Sequence, residues 1–278
     1  MIERHPSAAP LLERGFALAT WNVNSINVRV PRILEFLEQH SPDVVCLQET
    51  KVLPDAFPSD VLHDAGYRAV DHSGGRWAGV AILAREGIEV TDVAKGLPGE
   101  PLPDDARWIE ATIGGIRVAS AYVINGRAVD DPMFSLKLEF LDAMAKRCAD
   151  LSGRPLVVAG DFNIAPADID VWDPERFLGS THVTDEERSR FQQILDAGLL
   201  DAFRCVEPET VQHTWWDYRA GAFHRGHGLR IDLILASSDI AERITSCGMV
   251  REFRKGPKPS DHAPVLLEIS GGAGDAAS

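Results

Sequence analysis

Five groups of polar residues stand where apolar runs end: Asn22 with Asn24, Glu49, Asp161 with Asn163, Asp232, and Asp261 with His262. Carboxylates and amide oxygens are hard donors, so a site that gathered them would suit magnesium or manganese. The cysteines, Cys46, Cys148, Cys205 and Cys247, are far apart and form no C-x-x-C pair, which argues against a zinc clip and against a disulfide framework. Taken singly, an Asp or Asn after a strand is usually a turn residue or a helix cap. Asp232 differs because it lies inside Arg230-Ile231-Asp232-Leu233-Ile234-Leu235, where a carboxylate costs several kcal/mol to bury unless it is paired. His262 is a candidate partner: an Asp–His pair fixes one ring tautomer and holds positive charge against a phosphate oxygen.

These groups can meet only if a sheet aligns distant strand ends along one edge. Phe16 to Trp21 reads as a strand, Ile33, Leu34, Phe36 and Leu37 as a helical stripe, and Val44 to Leu47 as a buried strand ending at Gln48-Glu49-Thr50. Val80 to Leu83, Trp108 to Ile113 and Ile116 to Tyr122 follow as strands, the last two joined by Gly114-Gly115, a pair suited to a tight hairpin. Leu136, Phe140, Leu141 and Met144 make a helix face, and the strand Leu156 to Ala159 runs into Gly160-Asp161-Phe162-Asn163. A helix over Glu186 to Leu195 and strands over Leu229 to Ala236 and Val265 to Ile269 complete an α/β alternation with an antiparallel component. There is no internal repeat. Residues 16 to 270 are expected to form one domain, with a flexible leader at 1–15 and a flexible Gly, Ala and Ser tail at 271–278.

A chain of 278 residues with 45% apolar content can build a large core. The first fifteen residues carry Glu3, Arg4, Pro6, Pro10, Glu13 and Arg14 and lack the apolar run of a secretory signal. No segment has the roughly 18 apolar residues of a membrane span, so no membrane partner is expected, and the cysteine usage suits a reducing, cytoplasmic setting. Lys plus Arg number 28 against 42 Asp plus Glu, a net charge of −14 that on its face disfavours a polyanionic substrate. Phosphate binding follows local potential and bound cations, however, and a carboxylate-rich metal site adds to the negative total itself.

Seven stretches combine these residues: Thr20-Trp21-Asn22-Val23-Asn24-Ser25-Ile26, Leu47-Gln48-Glu49-Thr50-Lys51, Tyr122-Val123-Ile124-Asn125-Gly126-Arg127, Gly160-Asp161-Phe162-Asn163-Ile164-Ala165-Pro166, Trp215-Trp216-Asp217-Tyr218-Arg219, Leu229 to Ser237, and Ser260-Asp261-His262-Ala263-Pro264-Val265. In this order the set resembles the endonuclease, exonuclease and phosphatase superfamily, and within it the exonuclease III branch of abasic-site endonucleases. The resemblance covers residues 16 to 269. It implies a DNase I-like, four-layered α/β sandwich in which two packed mixed sheets are flanked by helices and the site lies at one edge. It also implies Mg²⁺, with Mn²⁺ as a substitute.

By the same resemblance Glu49 binds the metal, with Asn22, Asp161, Asn163, Asp261 and His262 around it. Asp161 activates water or manages a proton, Asn163 holds phosphoryl oxygens, Tyr122 lies against the phosphate or leaving group, and Asp232 with His262 forms the Asp–His pair. Trp215 matches the aromatic that lines the pocket for an extruded, base-less sugar, while Trp216 is equally well an ordinary inward or outward strand residue. Lys51, Arg127, Arg230, Lys255 and Lys258, beside these motifs, are the candidate DNA-backbone contacts. The family commonly has proline where this chain has Ile124, which bears on the placement of Tyr122 and Arg127; His224 and His227 read as surface loop residues.

The expected activity is hydrolysis of duplex DNA on the 5′ side of abasic sites, with removal of nucleotides or blocking groups from 3′ ends, by a monomer. A phosphatase or phospholipase of the same fold, acting on a small or lipid phosphate, would sit more easily with the acidic balance. A non-catalytic binder of abasic DNA is the alternative from another class, but it has no need for so many carboxylates.

Overall fold

The computed structural model describes residues 10–272. In chain order its strands are β1 (Phe16–Asn22), β2 (Val44–Gln48), β3 (Tyr67–His72), β4 (Val80–Arg85), β5 (Val90–Lys95), β6 (Trp108–Ile113), β7 (Ile116–Tyr122), β8 (Leu156–Asp161), β9 (Leu199–Asp201), β10 (Asp232–Ser237), β11 (Ile244–Met249) and β12 (Val265–Ile269). They form two six-stranded sheets, ordered β11-β12-β1-β2-β4-β3 and β5-β6-β7-β8-β10-β9. Each is mixed: β1 runs parallel to β2 and β7 parallel to β8, and the other pairs are antiparallel.

The alternation of side chains along each strand builds the layers. Leu18, Cys46, Val80 and Ile82 of the first sheet meet Ile109, Val118, Val157, Ala159 and Ile234 of the second in a central core. On the outer face of the first sheet, Ala19, Trp21, Val45 and Leu47 pack against Ile33, Phe36 and Leu37 of the Ile26–His40 helix. On the outer face of the second, Val158, Leu233 and Leu235 meet Phe140, Leu141 and Met144 of the Pro132–Asp150 helix and Phe191 and Ile194 of the Asp185–Asp196 helix. The result is the four-layered sandwich expected from the resemblance.

Three boundaries differ from the sequence reading. The strand expected from Leu229 begins at Asp232, because Leu229 instead bridges to Trp215 and Val171. Of the leader expected at 1–15, residues 1–9 lie outside the described residues, but Leu11–Arg14 forms a helical turn whose Leu11 is buried in the central core. Of the tail expected at 271–278, residues 273–278 lie outside the described residues, and Gly272 N–H donates to Leu12 O at 3.1 Å. The Gly114-Gly115 hairpin is present, with φ of 52° and 89° that match a type I′ turn. Among the described residues no helix is long and apolar enough to cross a membrane.

Candidate active site

The inward parity that builds the central core continues to one end of the sandwich and there turns polar. Leu18, Thr20 and Asn22 share a face of β1, as do Val118, Ser120 and Tyr122 on β7, Val157, Ala159 and Asp161 on β8, and Asp232, Ile234 and Ala236 on β10. Register aligns these ends, pairing Asp232 and Tyr122 each with Asp161, and Asn22 with Gln48. A polar stitch from Thr20 Oγ1 to Gln48 Oε1 (3.2 Å) and from Gln48 Nε2 to Ser120 Oγ (3.0 Å) joins the sheets just behind. Asn22, Asp161 and Asp232 are essentially inaccessible, so each needs an internal partner.

Each has one. Asn22 Nδ2 donates to Glu49 Oε1 at 2.7 Å and to Asp161 Oδ2 at 2.8 Å, bridging the two sheets. Its Oδ1 accepts from Asn24 N at 3.0 Å. Asn22 thus orients both carboxylates with its N–H groups while its oxygen accepts one backbone hydrogen bond. Asp161 Oδ1 also accepts from Asn163 N at 2.9 Å. His262 Nδ1 lies 2.8 Å from Asp232 Oδ2, and its Nε2 is 3.8 Å from Asp161 Oδ2. Thr214 Oγ1 accepts from the backbone N–H of Ile231 and Asp232, and Ser260 Oγ donates to Asn22 O at 2.7 Å while accepting from His262 N. Asn24, Glu49, Lys51 and Asn163 hold φ between 44° and 53°, the left-handed strain common where a site over-determines its backbone.

Electrostatics divide the site into a cationic and an anionic part. Burial alone would lower the His262 pKa, but the charges of Asp232 and Asp161 outweigh it and raise the value to about 10. A histidine whose pKa is raised this far favours its charged form in the metal-free protein, with Nε2 on the side of Asp161. Burial pushes the Asp161 carboxyl up to about 7; His262 opposes this, and Asp232 and Glu49 add to it. Burial would also raise Asp261, but the His262 charge and hydrogen bonds from Asn24 Nδ2 and Trp215 Nε1 bring it below its ordinary value. With both its oxygens so engaged, Asp261 is a support for Asn24 and Trp215. The Tyr122 hydroxyl is held well above its usual range by burial, then by the charges of Glu49 and Asp161.

A divalent cation fits this donor set. Ligand atoms of Glu49, Asp161 and His262 lie within 4.8 Å of one another. The carboxylates of Glu49, Asp161, Asp232 and Asp261 outnumber the cations Lys51 and His262. Glu49 and Asp161 contribute hard oxygens to that cluster and His262 a ring nitrogen. Asn163 is committed otherwise: its Oδ1 accepts from Asn125 Nδ2 at 3.1 Å and its Nδ2 donates to Val123 O at 2.9 Å. One of its amide N–H groups has no protein acceptor among the described residues, which suits an oxyanion better than a metal.

The candidate DNA contacts separate. Arg127, Lys255 and Lys258 are exposed, Arg127 beside Asp131 at 3.7 Å. Lys51 lies within the site, its Nζ 2.5 Å from Glu49 Oε2 and 2.7 Å from Asn24 Oδ1. Arg230 is corrected: it is 2% exposed, with Nε 2.6 Å from Asp170 Oδ1 and an NH2 nitrogen 2.7 Å from Asp201 Oδ2, so it is a buried structural cation. Trp215 is partly exposed beside Asp261, whereas Trp216 is buried against Phe223, which settles its open assignment. Ile124 packs into the outer core, and Tyr122 is held by Tyr122 N to Arg107 O at 2.8 Å and Val123 N to Asp161 O at 2.9 Å. His224 is exposed, and His227 stacks on Trp172.

Sequence reasoning missed Thr214, Asn125, and the buried Lys137 with Glu187. A signal existed for Lys137: it shares the helical spacing of Phe134, Leu141 and Met144, and a lysine on a core face needs a partner.

Two sheets stacked between helices, with an acidic pocket and an Asp–His pair where their edges meet, define a class of phosphoesterases. A model of the endonuclease/exonuclease/phosphatase family matches residues 19–262, and the chain belongs to that family. It is 33% identical over 265 residues to exodeoxyribonuclease III of Haemophilus influenzae, covering 90% of this chain and 98% of that protein. To the DNA repair nuclease APEX1 of Danio rerio it is 29% identical over 259 residues, covering 91% and 82%. Among solved structures, the 3′ phosphatase NExo from Neisseria, bound to a product DNA hairpin, superposes with a TM-score of 0.89 at 40% identity, covering 92% of this chain and 99% of that one. An AP endonuclease from Archaeoglobus fulgidus gives 0.88 at 35%, covering 91% and 99%. These similarities bear out the exonuclease III resemblance read from the motifs.

Proposed function

We infer that this chain is a DNA repair nuclease of the exodeoxyribonuclease III type, a metal-dependent phosphodiesterase of base excision repair. It cleaves on the 5′ side of abasic sites, leaving a 3′-hydroxyl and a 5′-deoxyribose phosphate, and removes nucleotides or blocking groups such as phosphate from 3′ ends of duplex DNA. The observation that carries the reading is the meeting of Asn22 and Glu49 from one sheet with Asp161 and Asp232 from the other, around His262. The relatives' names, exodeoxyribonuclease III, DNA repair nuclease and 3′ phosphatase, support DNA over the small or lipid phosphates of the alternative reading. A non-catalytic binder would have no use for a buried carboxylate poised at a pKa of about 7.

Glu49 and Asp161 would hold Mg²⁺, with Mn²⁺ as a substitute, and the bound ion supplies positive charge for the phosphoryl oxygens and the departing 3′-oxygen. The chain's own residues do the rest. Asp161, fixed by Asn22 and Asn163 N, receives a proton from the attacking water. Protonated His262, oriented by Asp232, and the free N–H of Asn163 stabilise the charge that develops on the phosphoryl oxygens. Tyr122, its proton held firmly, donates to the phosphate or leaving group. Trp215 walls the pocket for the extruded sugar, and Arg127, Lys255 and Lys258 supply the local phosphate attraction that a net charge of −14 denies. The enzyme acts as a monomer in the cytoplasm, a setting that suits four free cysteines.

The test is an end-labelled duplex carrying one tetrahydrofuran abasic analogue, with magnesium or chelator, beside an intact duplex and the Asp161→Asn protein. A single magnesium-dependent cut, lost in the folded variant, is expected. No cleavage of either duplex would return the phosphatase reading.

A further inference from the structure

Lys137 and Glu187 form an ion pair in which neither side chain is accessible to solvent, on facing positions of the Pro132–Asp150 and Asp185–Asp196 helices. Two buried charges are seldom retained for stability alone, since an apolar pair of similar volume serves as well. What distinguishes this pair is where its hydrogen bonds end. Lys137 Nζ donates to Asn163 O at 2.7 Å and lies 3.3 Å from Asn125 O. Thr181 Oγ1 sits between, 3.1 Å from Asn125 O, 3.2 Å from Lys137 Nζ and 2.9 Å from Glu187 Oε1. Glu187 in turn accepts from His182 N at 2.9 Å and from the Thr184 hydroxyl at 2.8 Å, and His182 Nδ1 lies 2.5 Å from Asn163 O.

The two carbonyls belong to the turns that follow β7 and β8, the turns that carry Arg127 and Asn163 in left-handed conformations. The turns are joined directly as well, through Asn125 Nδ2 to Asn163 Oδ1. Contact is so close that a Cβ on Gly126 would stand 3.0 Å from both Lys137 Cδ and Thr181 Oγ1. We propose that Lys137 is a positioning residue: with Glu187 and Thr181 it clamps these two turns from behind and sets where Asn163 presents its amide to the phosphoryl oxygens. This rests on the nuclease reading for the reaction it serves, but not for the clamp itself.

The test pairs two variants. Lys137→Met with Glu187→Leu removes both charges together, so no buried ion is left without its partner; Thr181→Val removes only the bridging hydroxyl. For each, unfolding and backbone hydrogen exchange are measured on the metal-free protein, duplex affinity in chelator, and single-turnover cleavage in magnesium. The proposal expects folded proteins that bind the abasic duplex within about threefold of wild type but cleave it about 10²-fold more slowly for the double variant, since a misplacement near 1 Å has that effect. Exchange should quicken at residues 123–127 and 162–165 and not elsewhere. A double variant that cleaves at the wild-type rate would overturn the proposal, as would a double variant that fails to fold beside a Thr181→Val protein with unaltered rate and exchange. A wild-type protein that cuts no DNA would sink the nuclease reading, and the exchange comparison would still decide the clamp.

Discussion

Replacing Asp232 with asparagine keeps the shape of the site and removes one charge. Asp232 is 1% exposed and lies 2.8 Å from His262 Nδ1, and its charge is the largest influence raising the His262 pKa from 6.5 to about 10. That rise corresponds to a preference of about 5 kcal/mol for the charged imidazole. Without the Asp232 carboxylate, burial is opposed only by the charges of Asp161 and Asp261, and the His262 pKa falls. Losing one preorganised donor of charge to a phosphoryl oxygen lowers turnover by about 10²- to 10³-fold, and the altered ring orientation can add to this. Single-turnover cleavage of the abasic duplex measures the rate, and the His262 Cε1–H resonance of the metal-free protein measures the charge. Wild-type His262 should stay protonated through pH 8, whereas the variant's ring should lose its proton at lower pH than the wild type's. A variant that cleaves within about threefold of wild type, or whose His262 titrates no lower than the wild-type ring, would refute the reasoning.

Other consequences follow from groups outside the reacting centre. Arg230→Met, which leaves Asp201 without its cation and Asp170 with only Arg204, should lower unfolding free energy by about 3 kcal/mol in urea while leaving the salt dependence of DNA affinity unchanged. Lys255→Ala and Lys258→Ala should do the reverse, each reducing the log–log salt slope of duplex binding by about 1 without moving the urea midpoint. His182 is lowered from 6.5 to about 4 by burial and then by the Lys137 charge, so between those values the unfolded chain binds the extra proton. Stability present above pH 6.5 is therefore lost as pH falls towards 4, by about 3 kcal/mol, and urea titrations of wild type against His182→Asn would show whether that slope belongs to this ring.

Much of the site was legible because its chemistry is local to short stretches. A carboxylate where an apolar run stops, an Asp inside a strand-like segment and an Asp-His dipeptide are visible without coordinates, and strand periodicity located β1, β2, β7, β8 and β12 to within one or two residues. Adjacency in sequence was a poorer guide for cations. Lys51 and Arg230 both stand beside site residues, yet Lys51 turns onto Glu49 and Arg230 onto Asp170, 60 positions away. Which acid a cation meets is set by the packing of distant segments, and no spacing rule encodes it.

The amino-acid sequence by itself determined the α/β class, the hard-donor character of the site and the pairing of Asp232 with a histidine, because strand propensity, donor chemistry and the penalty for a lone buried charge are properties of the residues. Only the tertiary structure decided the roles within that set. Asn22 spans the sheets because Glu49 and Asp161 both lie within reach of its Nδ2, the His262 pKa rises because Asp232 and Asp161 face it, and Lys137 meets Glu187 because a pair of helices brings them together. Each of these depends on atoms brought together across the sandwich, where burial and the neighbouring charge, and not residue type, choose the protonation state and the hydrogen-bond partner.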